Sequence, residues 1–301
     1  MIVNSTNLQD LFVGWQAAFK RGLDSKQQSQ VDTIAMRVSS ATRAERYGWL
    51  GQLPSLREWI GPRQIQRFAA YDYTITNKKF ELTWAVPIDD IEDDSVGAYS
   101  TYSEAAGASL GMWPHEIVYA LFLLGDSTVC YDGQYFFDTD HPVGRDAPAS
   151  VSNLLNNGGA NAAHPWYLLD TTKIVKPMLW QLRQAPQMTA QTDLTAANVF
   201  ELDEFRFGVK ARGNAGFGLW QTALRAEGAL TTANLETAVS AMQAFANDEG
   251  KKLGINPNIL LVGPYHQWTA GKLIHAELLD SSNTPNELRN RLQVVVVPEL
   301  P

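Results

Sequence analysis

The sequence predicts an α+β protein, and three patterns along the chain carry that prediction. Apolar residues alternate with polar ones between Tyr73 and Val86, which is typical of β-strands. From Thr231 onward, helical patterns alternate with continuous apolar strands. Between these regions, apolar residues recur every three or four positions, which indicates a long amphipathic helix. They are Val96, Tyr99, Tyr102, Ala106, Leu110 and Trp113.

The N-terminal segment predicts a short amphipathic helix. Thr6 to Gln9 fits a capping box, and large apolar residues including Phe12, Trp15 and Phe19 then follow at helical spacing. Residues 21–32 are almost wholly polar and separate this helix from the main body. Two interpretations stay open: an arm that packs on another subunit, or an N-terminal helix folded back onto its own domain.

A basic region and a ribbon of strands follow the N-terminal segment. Between Arg37 and Arg67 there are six arginines and two acids, and several glycines and prolines interrupt any helix there. The alternating residues on either side of Asn77 then predict a two-faced ribbon. Such a ribbon is too small to be stable alone, so it must pack on its own domain or on another chain.

The acidic run from Asp89 to Asp94 has two explanations. It could bind a divalent cation, but no histidine or partner carboxylate is tied to it in sequence. Acids are also stabilised at helix N-termini, and a helical pattern begins immediately afterwards, so we prefer a helix cap. Pro114 stands where that helix is expected to restart, and the apolar stretch from His115 to Gly125 is expected to be the most buried helix.

The C-terminal third predicts a second domain. Strand-like segments occupy much of residues 166–211, and Thr231 then caps a helix that ends near Gly250. Short apolar runs at 258–262 and 293–297 flank another helix. This alternation indicates a small α/β layer whose strands are covered on both faces.

Composition excludes several classes of protein. The chain of 301 residues has 24 Lys+Arg against 32 Asp+Glu, a net charge of -8, so its whole surface is not built to bind nucleic acid. A single cysteine cannot form an internal disulfide. The longest apolar run, residues 117–124, is far short of the roughly 20 residues that span a membrane. We therefore expect a soluble cytoplasmic protein without a membrane partner.

The segment CYDGQYFFDTDHPVG, residues 130–144, is the strongest candidate for an active or metal site. Cys130 and His141 lie eleven positions apart without a known catalytic sequence around them, and Asp138 and Asp140 begin like a calcium loop without its glycine and closing glutamate. Asp-Gly and Asp-His-Pro are typical of turns. We predict no catalytic, metal or cofactor role here, so replacing Asp140 or His141 by Ala should leave the assembled form of the protein unchanged. A metal or cysteine hydrolase remains the alternative.

Several long motifs together resemble one family. The segments YGWLGQLPSLREWIG, YTITNKKFE, DDIEDD, CYDGQYFFDTDHPVG, RGNAGFGLWQ and GKKLGINPNILLV occur in the order found in the major head subunit of Mu-like tailed bacteriophages. The resemblance covers nearly the whole chain. It implies a Hong Kong 97-like phage capsid fold, with an N-terminal arm at residues 1–47 and an extended β-hairpin loop at 48–89. A peripheral domain with a spine helix would follow at 90–229, and an axial α/β domain at 230–301. The strands before residue 230 depart from the usual order, because they resemble a cassette normally found at the chain end.

The same resemblance implies function and partners. It implies a major capsid protein that assembles hexamers and pentamers of an icosahedral head around double-stranded DNA, bound without sequence specificity. A scaffold or protease protein, a portal protein and a decoration protein would be partners, and assembly would occur in the host bacterial cytoplasm before the subunit enters the virion. An encapsulin-like compartment that encloses a cargo enzyme is the alternative with the same fold.

Two sets of residues are predicted to contact other subunits. The arm would pack on a neighbour through Phe12, Trp15 and Phe19. Arginines of the extended loop would meet acids of the adjacent subunit; the residues are Arg57, Arg63, Arg67, Asp93 and Asp94.

Overall fold

The computed structural model describes residues 5–25, 31–50, 72–93, 96–144, 148–156, 158–159, 161–279 and 284–301. Within these ranges the helices are α1 (Ser5–Ser25), α2 (Val31–Ile34), α3 (Ile88–Glu92), α4 (Val96–Leu123), α5 (Ala197–Leu202), α6 (Thr232–Ala244) and α7 (Gln267–His275).

Fifteen strands lie in the described ranges, most of them in two sheets. They are β1 (Ala35–Ser39), β2 (Ala44–Arg46), β3 (Thr74–Thr76), β4 (Lys78–Pro87), β5 (His141–Val143), β6 (Ala149–Val151), β7 (Leu154–Leu155), β8 (Trp166–Leu169), β9 (Met178–Gln191), β10 (Glu204–Phe217), β11 (Ala223–Ala226), β12 (Ile259–Val262), β13 (Leu278–Leu279), β14 (Thr284–Pro285) and β15 (Gln293–Val296).

The first sheet has the strand order β1-β9-β10-β4. Strands β9 and β10 each have 14 residues and pair antiparallel, and β4 pairs antiparallel with the other edge of β10. Because side chains alternate between the two faces of a strand, Phe205, Phe207 and Val209 all point to one buried face. This apolar face requires a cover, and helices α4 and α1 supply it.

Helix α4 is the predicted spine helix, and it runs without a break for 28 residues. The predicted restart at Pro114 is therefore wrong, since the proline lies inside one continuous helix. The following apolar stretch is buried on one face, with Val118, Tyr119 and Phe122 fully inaccessible, but Leu124 is 53% exposed, so the prediction that it is buried on nearly every side is wrong. Trp113 fixes α4 to the sheet, because its ring lies 4.8 Å from the ring of Trp180. Among the described helices, none combines the length and apolar character that crossing a bilayer requires.

Helix α1 lies on its own chain, so the prediction that Trp15 and Phe19 contact a neighbouring subunit is wrong. Both side chains are at least 97% buried, and the ring of Trp15 lies 4.8 Å from that of Phe207 in the sheet. Phe12 is half-buried and stacks on Phe207 at 6.3 Å. The physical reason is that α4 leaves part of the apolar sheet face uncovered, and the nearest apolar stripe on the chain is that of α1.

Two glycines allow the backbones of α1 and α4 to touch. A Cβ at Gly22 would lie 1.9 Å from the carbonyl oxygen of Glu104, and a Cβ at Gly107 would lie 2.0 Å from that of Phe19. Real Cβ atoms never approach a carbonyl so closely, so neither position accepts a side chain without separating the helices. The pair sets the distance between α1 and α4.

The second sheet has the strand order β15-β12-β8-β11-β7, and it changes the predicted domain boundary. Strand β12 pairs antiparallel with β8 as well as parallel with β15. The α/β layer was predicted to begin at residue 230 as a separate domain, which is wrong, because β7, β8 and β11 from residues 154–226 belong to the same sheet. The fully buried strand β12 needs a hydrogen-bonding partner on each side, and β8 provides one.

The predicted β-hairpin loop at residues 48–89 stays a prediction, but the strands of the ribbon predicted around Asn77 do not pair with each other. Strand β3 pairs with β2, and β4 pairs with β10. Asn77 alone separates β3 from β4, and one residue cannot reverse the chain into a hairpin. The side-chain amide of Asn77 instead donates to Ser40 Oγ and to the Thr42 carbonyl. The rest of the predicted loop, residues 51–71, lies outside the described residues.

The acidic run after β4 occupies a helix N-terminus, although not that of α4. Asp89 and Asp90 lie in the first turn of the five-residue helix α3, where acids are favoured. Tyr99 of α4 donates a hydrogen bond from its hydroxyl to Asp90. Asp93 caps the C-terminus of α3, and Asp94 lies outside the described residues. The predicted cap on α4 is therefore wrong for the first two acids, because they begin a separate short helix and the first turn of α4 contains no acid.

We predict that Gly107→Ala destabilises the free subunit by about 1 to 3 kcal/mol, because the new methyl group must push α1 away from α4. Gly14→Ala and Gly97→Ala are matched controls in the same two helices, since nothing lies within 4 Å of the position that either new methyl group would take. The free energy of unfolding of each control should rise by about 0.5 to 1 kcal/mol, because alanine has a higher helix propensity than glycine. Urea unfolding measures all three free energies. Equal stability of the Gly107 and Gly97 variants would contradict the close approach.

Candidate functional site

The loop at residues 130–144 folds so that Cys130 and His141 meet around a third residue, Asp132. The thiol of Cys130 donates to Asp132 Oδ1 at 3.0 Å, and His141 Nδ1 lies 2.7 Å from Asp132 Oδ2. The backbone amide of Gln134 also donates to Asp132 Oδ1 at 3.1 Å. The side chains of Cys130, Asp132 and His141 form what we call the Asp132 cluster.

Asn153 and Trp220 attach the Asp132 cluster to the second sheet. His141 Nε2 lies 3.2 Å from Asn153 Oδ1, and the Asn153 amide donates to the carbonyls of Phe136, Trp220 and Ala223. The imidazole ring stacks on Trp220 with centroids 4.0 Å apart and an interplanar angle of 8°. Both ring nitrogens thus lie within hydrogen-bonding distance of side-chain oxygens.

The charges of the Asp132 cluster follow from its burial. Burial alone would raise the pKa of Asp132, but the hydrogen bonds from His141, Cys130 and the Gln134 amide, together with attraction to His141, outweigh it, and the pKa is lowered. Burial and the neighbouring carboxylate raise the pKa of the Cys130 thiol. A nucleophilic cysteine requires the opposite shift, toward the thiolate.

The Asp132 cluster contains ligand types that suit Zn²⁺, since one atom from each of its three side chains lies within 4.8 Å of the others. Those atoms are already joined to one another by the hydrogen bonds described above. The arrangement therefore acts as a closed network that holds the loop on the second sheet. The prediction that this segment has no metal or catalytic role stays a prediction.

The other acids of the segment stay apart from the Asp132 cluster. The Asp138 carboxylate accepts hydrogen bonds from the backbone amides of Tyr135 and Thr139, as is typical of an aspartate in a turn. Asp140 is exposed. His141 is fully buried, so His141→Ala is expected to lower the stability of the subunit, and the predicted lack of effect on assembled shells stays a prediction.

Exposed apolar side chains form the other candidate functional feature. Ile174 and Phe200 are each 90% exposed and Trp268 is 76% exposed, which is unusual for large apolar residues. Tyr265 lies three residues before Trp268 and stacks on His164 with ring centroids 4.1 Å apart. These surfaces are available for contacts with other chains.

The predicted arginine contacts cannot be located on the described surface. Arg57, Arg63 and Arg67 lie outside the described residues, as does Asp94. Asp93 is described and exposed at the end of α3. The pairing of these residues between subunits therefore stays a prediction.

We expect Asp132→Asn to destabilise the subunit by about 2 to 4 kcal/mol at pH 7, because it replaces a buried carboxylate that accepts several hydrogen bonds and keeps only one acceptor oxygen. A carboxylate with a lowered pKa stabilises the fold above its unfolded pKa of about 4, and that contribution is lost as the pH falls through the lower folded value. The free energy of unfolding should thus depend less on pH below about 4 in the variant.

The matched control for this experiment is Asp140→Asn, at an exposed carboxylate of the same segment. It should change stability by less than about 0.5 kcal/mol at pH 7. Urea unfolding at a series of pH values measures both variants. An Asp132 variant as stable as the Asp140 variant would show that the network does not hold the loop.

Two known proteins are similar in sequence to this chain over all or nearly all of its length. The major capsid protein of Escherichia phage Mu is 39% identical over 307 residues, which cover 100% of both chains. The Mu-like prophage FluMu major head subunit of Haemophilus influenzae is 42% identical over 294 residues, or 95% of each chain.

Solved structures share the fold. A chain from the procapsid of bacteriophage JBD30 superposes with a TM-score of 0.86 at 38% identity, and the match covers 98% of this chain and 99% of that one. A chain from the JBD30 capsid decorated with minor capsid protein trimers gives a TM-score of 0.76 at 29% identity, with 91% of each chain covered.

The family model of the Mu-like prophage major head subunit gpT matches residues 8–300, which include both sheets and the Asp132 cluster. The family and the Hong Kong 97-like phage capsid fold expected from the sequence motifs are confirmed. The predicted function, that of a major capsid protein forming the phage head, is confirmed. The alternative, a compartment that encloses a cargo enzyme, is less supported. The chain thus belongs to the family of Mu-like prophage major head subunits, gpT.

Proposed function

We propose that this head subunit assembles into hexamers and pentamers that close an icosahedral shell around double-stranded DNA. The observation that carries the proposal is the match to the JBD30 procapsid chain over 98% of this chain. A shell built from one chain uses heterologous contacts, in which a surface on one copy meets a different surface on the next. Such contacts require exposed apolar area on the free subunit.

The exposed apolar residues support this assembly. Trp268 lies at the start of α7, and Tyr265 lies two residues before that helix. Phe200 lies on α5, and Ile174 lies on the connection between β8 and β9. Burial of each such side chain at a contact is worth about 1.5 to 3 kcal/mol. In a shell, every copy repeats those contacts.

Further partners belong to the same proposal. A scaffold or protease protein guides assembly in the host bacterial cytoplasm, and a portal protein replaces one capsomer. Minor capsid protein trimers decorate the JBD30 capsid, and by analogy a decoration protein binds the outside of this shell. The proposal includes no reaction chemistry, which agrees with the raised pKa of the chain's single cysteine, Cys130.

The net charge of -8 favours a container over a genome-binding protein. Non-specific affinity for DNA comes mainly from cations that neutralise phosphates. An acidic subunit therefore encloses double-stranded DNA with little adhesion to it, and without sequence specificity.

Loop arginines of one subunit meet acids of the next in this proposal. Arg63 and Arg67 belong to a segment with few acids, and Asp93 is exposed beside the segment's return to α4. Arginine binds a carboxylate with two parallel hydrogen bonds, which fixes the register of the contact. One exposed pair is worth only about 0 to 1 kcal/mol, but a shell repeats it in every copy.

Reversing both loop charges, Arg63→Glu with Arg67→Glu, should block shell assembly while leaving a folded subunit. Adding Asp93→Lys and Asp94→Lys to the same chain should partly restore shells, because the opposite charges again face each other. Negative-stain microscopy counts shells, and circular dichroism controls for folding. A fourfold variant that assembles no better than the double variant would contradict the pairing.

The experiment that tests the proposed function expresses the chain with its scaffold protein and examines purified particles. We expect closed shells by microscopy from the native chain, and nuclease-protected double-stranded DNA in particles from infected cells. Trp268→Ser should lower the shell yield, because it removes the most exposed tryptophan among the described residues. Particles that hold a protein cargo and no DNA would instead support the compartment.

A further inference from the structure

A groove of about 840 Å³ lies between α1 and the end of β9. Leu8 and Phe12 of α1 form one apolar wall, and Met188 and Ala190 of β9 form the other. A volume of this size takes a short peptide segment or a small molecule rather than a folded domain.

The groove carries negative charge. Asp193 lies in its lining, which includes no lysine, arginine or histidine among the described residues. Hydrogen bonds from the backbone amide and the hydroxyl of Thr195 lower the pKa of Asp193, so the carboxylate is ionised at neutral pH. Glu201 and Asp203 are exposed further along the same connection between β9 and β10.

Apolar surface continues beyond the groove. The connection from β9 to β10 exposes Leu194, Phe200 and Leu202, and Phe200 is 90% exposed. These side chains lie on the same connection as three groove-lining residues, Thr192, Asp193 and Ala196, and as the exposed acids. The ligand that complements the groove and this connection has an apolar centre with cations on either side.

We propose that this groove docks a short apolar peptide segment, flanked by lysines or arginines, of the scaffold protein around which the shell assembles. The inference rests on the proposed function for the identity of the partner. The apolar walls of the groove require apolar residues at the centre of the segment, and the carboxylate in its lining requires basic residues on either side.

A second copy of this chain is a poorer occupant. Its most exposed apolar side chain near this corner, Phe200, is followed by Glu201 and precedes Asp203, and these acids would face Asp193 of the other copy. The area is also small. Phe200, Leu194 and Leu202 expose on the order of 300 Å² together, whereas a stable complex buries about 800 Å² on each partner.

The test uses the purified full chain and two fluorescent synthetic peptides with identical leucines at helical spacing. One peptide carries four lysines and the other carries four glutamates. Anisotropy titrations should give the lysine peptide a Kd at least about tenfold lower. The scaffold protein expressed with this subunit should displace the lysine peptide.

Charge substitutions in the groove lining test whether the peptide binds there. Gln9→Lys with Asp193→Lys should raise the Kd of the lysine peptide by about tenfold or more. Asp193→Asn keeps the acceptor for Thr195 and should raise that Kd about threefold. The matched control is Gln16→Lys with Asp24→Lys, which makes the same charge change at exposed positions of α1 outside the groove lining. It should bind the lysine peptide nearly as the native chain does.

Equal binding of both peptides, or equal loss in the control, would overturn the groove assignment. A scaffold protein that fails to displace the peptide would overturn the partner. Concentration-dependent self-association of the native chain that the Gln9 and Asp193 substitutions abolish would assign the groove to a second copy. Because the titrations need no shells, they separate failure of this inference from failure of the assembly function, which microscopy measures.

Discussion

The apolar face of the four-stranded sheet is the constraint on which the rest of the fold depends. Strands β9, β10 and β4 place large side chains on one face, and that face must be removed from water. Helix α4 covers one part and α1 covers the remainder, where Trp15 packs on Phe207. The cover fits because Gly22 and Gly107 let the two helix backbones touch. Position and orientation of α1 therefore follow from the sheet.

Because α1 packs on the sheet of its own chain, contacts between subunits involve other surfaces. Because Trp15 and Phe19 stabilise the subunit itself, contacts between copies must come from elsewhere. Phe200 lies within α5 and Trp268 lies at the start of α7, and both are exposed. The subunit can thus be folded before it assembles, with apolar area that a neighbour or an assembly partner buries later.

Local periodicity predicted the long helix and several strands, but it did not predict which of these elements pack on or pair with one another. Helix α4 and the strands around Phe80 and Phe205 follow from spacing alone, because one face of each is buried. Which strand pairs with which is a long-range choice, so spacing did not predict that β3 pairs with β2 and β4 with β10, and the boundary at residue 230 was wrong. The pattern of α1 is the same whether it packs on its own chain or on another. Asp132 was missed as the centre of the buried cluster, because the stacking of His141 on Trp220 joins positions far apart in sequence.

The most direct test of this account is the stability of the free subunit without residues 1–25, measured by urea unfolding below the concentration at which shells form. The account predicts a large loss, since burial of Leu8, Trp15 and Phe19 is worth about 1.5 to 3 kcal/mol for each side chain. The truncated chain should unfold at much lower urea or fail to fold. A truncated subunit as stable as the full chain, but unable to form shells, would contradict the account and return α1 to a neighbouring subunit.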